Sequence, residues 1–313
     1  MQEAHSNKHP NDLDVIDLRE LFYVLWDGKW IILSLTTFAS IFAVIYSLSL
    51  PNIYESKALL APAKSSSSIS GALRSYGGLA SLAGISLPSG GDDGNSSKAI
   101  QKMKSLSFFE NNILTNIDLP DLMAFKSWDA ETNTVLYNNK IYDTTTNKWI
   151  LKDSDPTYKM PSVQKSYYAF KSKLNLIVDN KTGFITISVK HQSPFLAKQW
   201  TELVVNEVNS FYRQKDKLES ERAVSYLNQQ ISMTSLSEIK QVLAQLLQEE
   251  TKKLTLIEAN QFYVFDYIDP PAVMEEKTEP TRSTICIIIA LMAGILSTLL
   301  VLLRHYVFSE KTS

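Results

Sequence analysis

Two uncharged apolar blocks dominate the hydrophobic pattern of this chain. Trp30 to Leu50 and Ser283 to Leu303 each run for 21 residues without Asp, Glu, Lys or Arg. A helix rises about 1.5 Å per residue, so each block can cross a hydrocarbon core of about 30 Å. Both are read as transmembrane helices. The first follows an acidic lead and exceeds the length of a cleaved signal segment. In that lead Leu13, Ile16, Leu21, Val24 and Leu25 recur at helical spacing between Asp14, Asp17, Glu20 and Asp27. The pattern predicts a short amphipathic helix on the membrane surface, with Trp26 and Trp30 as interface anchors.

Between the blocks the period changes several times. Ile53 to Pro62 reads as a strand, and the Ser- and Gly-rich stretch from Lys64 to Lys98 as a flexible loop. A helix is expected over Ala99 to Asn116, ended by Pro120. Asp121 to Pro161 is polar and tyrosine-bearing, which fits short strands or an irregular insertion, and Tyr167 to Leu174 reads as a short helix. LNLIV and FITISV flank Asp179 to Gly183, a turn sequence that predicts a hairpin. From Pro194 a helical stripe takes over: Leu196, Trp200, Leu203, Val204, Val208, Phe211. Ser235-Leu236-Ser237-Glu238 has the form of a capping box, so either a second helix starts there or one long helix bends. Val224, Leu227, Ile231, Ile239, Leu243, Leu246, Leu254 and Ile257 form a seam at alternating threes and fours. That spacing fits a coiled-coil-like contact between protomers or within a trunk, or an ordinary domain-facing helix. Gln261 to Asp269 returns to a strand, stopped by Pro270 and Pro271. The expected fold class is α+β: an α/β base with long projecting helices, flanked by two transmembrane helices.

Composition narrows the chemistry. The formal net charge is −2 over 313 residues, and no basic patch points to nucleic acid. The one cysteine, Cys286, lies in the second block, so no intrachain disulfide can form. His5, His9, His191 and His305 show no metal-ligand or catalytic spacing. No phosphate-loop or nucleophile-elbow motif occurs. The reading is of a protein without catalytic residues, metal or cofactor. The aromatic run Phe262, Tyr263, Phe265, Tyr267 suits a packed strand better than a sugar-stacking surface. Ala290 and Gly294 have the small-xxx-small spacing that lets helices approach in lipid.

Six longer segments are distinctive when taken together: DLRELFYVLWDGKW, NIYESKALLAP, GGLASLAGI, KSWDAETNTVLYN with the nearby KWI, KTGFITISVKHQSPFLAKQW and YVFDYIDPPAVMEEKTEPTR. In combination they resemble the Wzz polysaccharide co-polymerases, the lipopolysaccharide O-antigen chain-length determinants. Positive residues are almost balanced across both blocks, so charge bias leaves orientation open, and the resemblance decides it. It implies a Gram-negative inner-membrane protein with its main domain in the periplasm. The implied division is 1–29 cytoplasmic, 30–50 and 283–303 transmembrane, 51–282 periplasmic and 304–313 a cytoplasmic tail. The base would comprise about 51–212 and 261–270, and the long helices about 194–260. The resemblance further implies a ring-like homo-oligomer that acts with a Wzy polymerase on undecaprenyl-pyrophosphate-linked glycan and sets its modal length. Its proline-rich membrane-proximal motif maps to Pro270, Pro271, Pro280 and Arg282. The alternative is an adaptor for capsule or exopolysaccharide polymerisation and export. No fused kinase is expected, because the chain has no Walker motif.

Overall fold

The computed structural model describes residues 18–63, 93–150, 160–260 and 262–309. Most of the Ser/Gly-rich loop, including GGLASLAGI, lies outside these residues, as do Leu13, Ile16 and the last four residues. The described residues form two units. One comprises those of Met1–Asn52 and Glu279–Ser313, the other those of Ile53–Thr278.

The first unit contains α1 (Leu18–Asp27), α2 (Lys29–Ser49) and a C-terminal helix, α9 (Arg282–Ser309). Two of its helical stretches, Lys29–Ser49 and Arg282–His305, are long and apolar enough to cross a membrane. Their large side chains point outward: Phe38, Phe42 and Ile45 on α2, and Leu291, Ile295 and Leu299 on α9, are all exposed. Small residues fill the contact between them. Ala43 and Ser47 are buried on α2, and Ser297 on α9. Without water to expel, helices in lipid associate through close packing, which small side chains permit.

The second unit is built on a four-stranded sheet in the order β6-β7-β1-β8, with each neighbouring pair antiparallel. β1 is Tyr54–Pro62, β6 Leu174–Val178, β7 Ile185–His191 and β8 Phe265–Asp269. The hairpin forms as expected, with Gly183 at φ 72° in its turn. β8 starts later than expected, at Phe265.

Between β1 and β6 lie α3 (Asp93–Met103), α4 (Leu106–Phe108) with a π-helical turn at Phe109–Ile113, and α5 (Leu119–Met123). Two ribbons follow, β2 (Phe125–Asp129) with β3 (Thr134–Tyr137) and β4 (Tyr142–Asp143) with β5 (Lys148–Trp149). α6 (Val163–Lys173) leads into β6. Three expectations are corrected here. The helix expected from Ala99 begins at Asp93 and is broken before Ser105, whose hydroxyl caps a new turn by accepting the Phe108 N–H. Pro120 does not end a helix but sits in the first turn of α5, where proline's missing N–H has no helical partner to lose. The short helix expected from Tyr167 starts at Val163, capped by Ser162.

α7 (Pro194–Met233) runs for 40 residues and α8 (Ser237–Ala259) for 23. Ser193 caps α7 and Pro194 occupies its first turn, as the sequence suggests. The capping box expected at Ser235–Glu238 does not form. The backbone stays extended through Leu236, which takes the cap position without a side-chain bond. Trp200, Val204, Val205 and Val208 on the first half of α7 are buried with Ala58, Leu60, Ile185, Ile187, Val189 and Phe265 of the sheet. Truncating a buried aromatic such as Trp200 costs about 3–5 kcal/mol, so this layer anchors the long helix to the base.

Candidate functional site

The connector from β8 to α9 divides between the two units. In the sheet-bearing unit Pro271 is buried and Pro270 exposed. The next carbonyl, of Ala272, accepts the Ser56 hydroxyl at 2.7 Å. The Thr278 N–H donates to the Ile53 carbonyl at 2.8 Å. The stretch is therefore pinned beside β1 at both ends, which is a stronger restraint than proline stiffness alone. In the helical unit the Glu279–Pro280 bond is cis. There the Arg282 guanidinium donates from Nη2 to Asn52 Oδ1 at 3.0 Å. Of the four residues of the proline-rich motif, Pro270 and Pro271 belong to one unit, and Pro280 and Arg282 to the other.

Of the two small residues marked in the second apolar block, Gly294 faces Thr36, and a Cβ added there would meet only Thr36 Cγ2 at an ordinary 3.8 Å. Gly28, between α1 and α2, is the demanding position. A Cβ there would overlap the side chain of Val301. No sequence pattern had marked Gly28, because its constraint comes from a helix more than 250 positions away. Trp26 is exposed on α1, with Phe22 stacked on it at 6.0 Å and the Lys29 ammonium 4.4 Å from its ring centre. Trp30 is exposed on α2.

The seam is largely a contact within the chain. α7 and α8 pack together, and Leu227 and Ile257 are buried between them. Val224, Ile231, Leu243, Leu246 and Leu254 are half-buried. Ile239 is 46 % exposed and falls outside this packing. It lies near the helix turn-around, where Leu236 and Val242 are also exposed. The Lys217 and Glu258 side chains form an ion pair at 2.5 Å that ties the two helices at their base end. Each partner holds the other charged, which raises the Lys217 pKa and lowers that of Glu258.

His191, which the sequence left without a role, is 1 % exposed. Its Nδ1 accepts the Ser193 N–H at 3.0 Å, and Nε2–H faces the Asp121 carbonyl oxygen at 3.4 Å. Phe125 and Trp200 pack on the ring at 4.5 and 5.0 Å between centroids. Burial, assisted by the charge of Lys173, pushes its pKa down to about 3, so it is a neutral structural residue. Beside it the Tyr137 hydroxyl donates to Asp121 Oδ1 at 2.6 Å, and burial raises the pKa of both groups. Among the described residues no group of three or more His, Cys, Asp or Glu is placed to hold a metal ion. In the aromatic run before the connector, Phe265 is fully buried and the Tyr263 hydroxyl donates to Asp216. Those residues serve packing and cannot form one open stacking face.

Comparison with known proteins bears on the N-terminal third. No curated protein matches the chain by sequence. Among solved structures, it is similar to a full-length bacterial polysaccharide co-polymerase, with 14% identity and a TM-score of 0.41, over 95% of this chain and 100% of that one. A fragment of WzzB, a polysaccharide co-polymerase from Salmonella Typhimurium, matches with 12% identity and a TM-score of 0.31, over 73% of this chain and 100% of that one. The family model described as Wzz, chain length determinant protein, matches residues 14–114, which take in α1, α2, β1, α3, α4 and the π turn. Through that segment, about a third of its length, the chain is similar to the Wzz chain length determinant family.

Proposed function

We propose that this protein is a non-enzymatic polysaccharide co-polymerase that sets the modal length of lipopolysaccharide O-antigen. The family match over residues 14–114 carries the reading. It is supported by two apolar helices that bound a domain with a 40-residue helix. In this proposal α2 and α9 cross the Gram-negative inner membrane, and the intervening domain is periplasmic. Residues 1–29 and 304–313 are cytoplasmic. The protein forms a homo-oligomer through the exposed apolar side of its long helices and works with a Wzy polymerase on undecaprenyl-pyrophosphate-linked glycan. The connector with Pro270, Pro271, Pro280 and Arg282, and the α2–α9 pair with Ala290 and Gly294, are its membrane-proximal working parts.

The test is deletion of the gene followed by gel analysis of lipopolysaccharide. Loss of the modal cluster, with a ladder dominated by short chains, is expected. An intact modal cluster overturns the O-antigen assignment. Loss of capsule with unchanged O-antigen banding would instead assign the protein to capsule polymerisation and export.

A further inference from the structure

A pocket of about 270 Å³ opens beside the π-helical turn. Its floor is apolar and aromatic: Phe108, Phe109, Ile113, Phe170 and Val204. All five are buried, so the floor is continuous with the core beneath α7. Its rim is different. Lys104 and Lys171 are exposed there, with Asn175 beside them. Tyr167 joins the two sides of the mouth. Its hydroxyl donates to the Lys104 carbonyl at 2.5 Å, and the Lys171 ammonium lies 5.6 Å from its ring centre. Among the described residues neither rim lysine is held in a salt bridge with a carboxylate.

Two features set this hollow apart from a packing defect. The first is the π turn at Phe109–Ile113, closed by the Leu114 N–H on the Phe109 carbonyl at 2.8 Å. Such a turn spends an extra residue on a poorer backbone geometry and occurs frequently at functional sites. Here it lies where Phe108 and Phe109 turn into the pocket floor. The second is the sorting of chemistry by depth, with apolar surface inside and two positive charges at the entrance. Pockets for small molecules share this plan, a mostly apolar interior with a few polar groups that fix orientation.

We propose that this pocket binds a single-chain anionic amphiphile, its hydrocarbon chain against Phe109 and Phe170 and its acidic head between Lys104 and Lys171. The volume lies just under the usual range of about 300–1,000 Å³ for small-molecule sites, which suits one short chain and not a two-tailed lipid. Charge complementarity selects the head. A neutral alcohol of the same length would gain the apolar contacts and leave both ammonium groups unmatched. A cation would be repelled by them.

The test uses the full chain in zwitterionic nanodiscs and a ten-carbon fatty acid with a photoactivatable diazirine at the chain end. Adduct positions are mapped by mass spectrometry. Adducts are expected on the Met103–Ile113 and Tyr167–Leu176 stretches, competed by decanoate and not by decanol. Lys104→Glu with Lys171→Glu should lower that labelling by about tenfold, while Lys104→Arg with Lys171→Arg retains it, as exposed charge contacts of this kind carry modest energies that add over two sites. The proposal is overturned if adducts fall only on α2 and α9. It is overturned equally if decanol competes as well as decanoate and the charge reversals change nothing, which would leave an apolar hollow without selectivity. Absence of labelling, with a changed oligomeric state in the charge-reversed protein, would assign the pocket to a neighbouring copy of the chain.

Discussion

Asn209, buried in the middle of α7, grips the backbone of Phe265 in both directions. Its Nδ2 donates to the Phe265 carbonyl at 3.0 Å, and its Oδ1 accepts the Phe265 N–H at 2.9 Å. The same Oδ1 also accepts the Val264 N–H at 2.8 Å. One side chain thus fixes where the chain, returning from the long helices, re-enters the sheet. Thr201, two turns earlier on α7, donates to the Ser56 carbonyl at 3.3 Å and ties the same helix to β1.

Asn209→Leu should therefore cost far more than its change in size suggests. It leaves two N–H groups and one carbonyl buried without partners, and each such loss costs about 1–3 kcal/mol. A fall in stability of about 3 kcal/mol or more is expected in thermal unfolding of the solubilised chain. Asn209→Asp, which keeps the acceptor and loses the donor, should fall between. Equal, small effects for both would show that the clamp does not hold β8.

Gly28 and Gly294 should respond in opposite ways to the same substitution. A Cβ at Gly28 overlaps Val301, whose branched side chain on a helix has little rotameric freedom. Gly28→Ala should loosen the α1–α9 contact, read as greater protease or hydrogen-exchange access at Leu21 to Leu25. Gly294→Ala has room, and gains helix propensity of about 1 kcal/mol. It should leave assembly and exchange unchanged. A reversed order would refute the packing.

Much of this architecture is written in short-range pattern, and the failures have physical reasons. The apolar blocks, the Asp179–Gly183 hairpin and the start at Ser193-Pro194 are legible because solvent, turn geometry and capping act locally. The Ser235 box fails because the backbone remains extended one residue longer than the motif needs. One local code was present and unread. Asp129, Asp143 and Asp179 each accept the N–H two residues on and the hydroxyl of a threonine three residues on. Each threonine is followed by a residue with positive φ: Asn133, Asn147 or Gly183. D-x-x-T-[NG] is thus a hairpin signal used at all three ribbon turns, and these bonds lower the pKa of each aspartate. His191, Asn209 and Gly28 were illegible for another reason. Each is defined by partners distant in sequence, and nothing in its own neighbourhood distinguishes it.

The seam separates into two groups with different consequences. Leu227 and Ile257 are buried inside the chain, so alanine at either should cost about 2–5 kcal/mol of stability. Ile239 and Val242 are exposed, at 46 % and 56 %, beside the turn between α7 and α8. If this surface joins protomers, Ile239→Lys with Val242→Lys will shift the protein to smaller species on native gels with unchanged thermal stability. Retention of the full assembly would place the protomer contact elsewhere.

The neutral state of His191 sets an acid limit to stability. In the unfolded chain histidine titrates near 6.5, while in the fold burial holds it near 3. Between those values the unfolded state binds the extra proton and the folded state does not. The stabilisation is therefore complete above about pH 6.5 and is lost as pH falls toward 3, at up to about 1.4 kcal/mol per pH unit. Protonation would also place an N–H at Nδ1 against the Ser193 N–H, breaking the bond that orients the start of α7. Asp121 works in the opposite sense, because burial raises its pKa and acid relieves its cost. The histidine contribution must therefore be isolated by difference. Unfolding midpoints of the native protein and His191→Asn, measured from pH 7.5 to 4, should converge as pH falls, with the native protein losing its advantage. Parallel curves would mean that His191 is already protonated in the fold, or that its burial is incomplete.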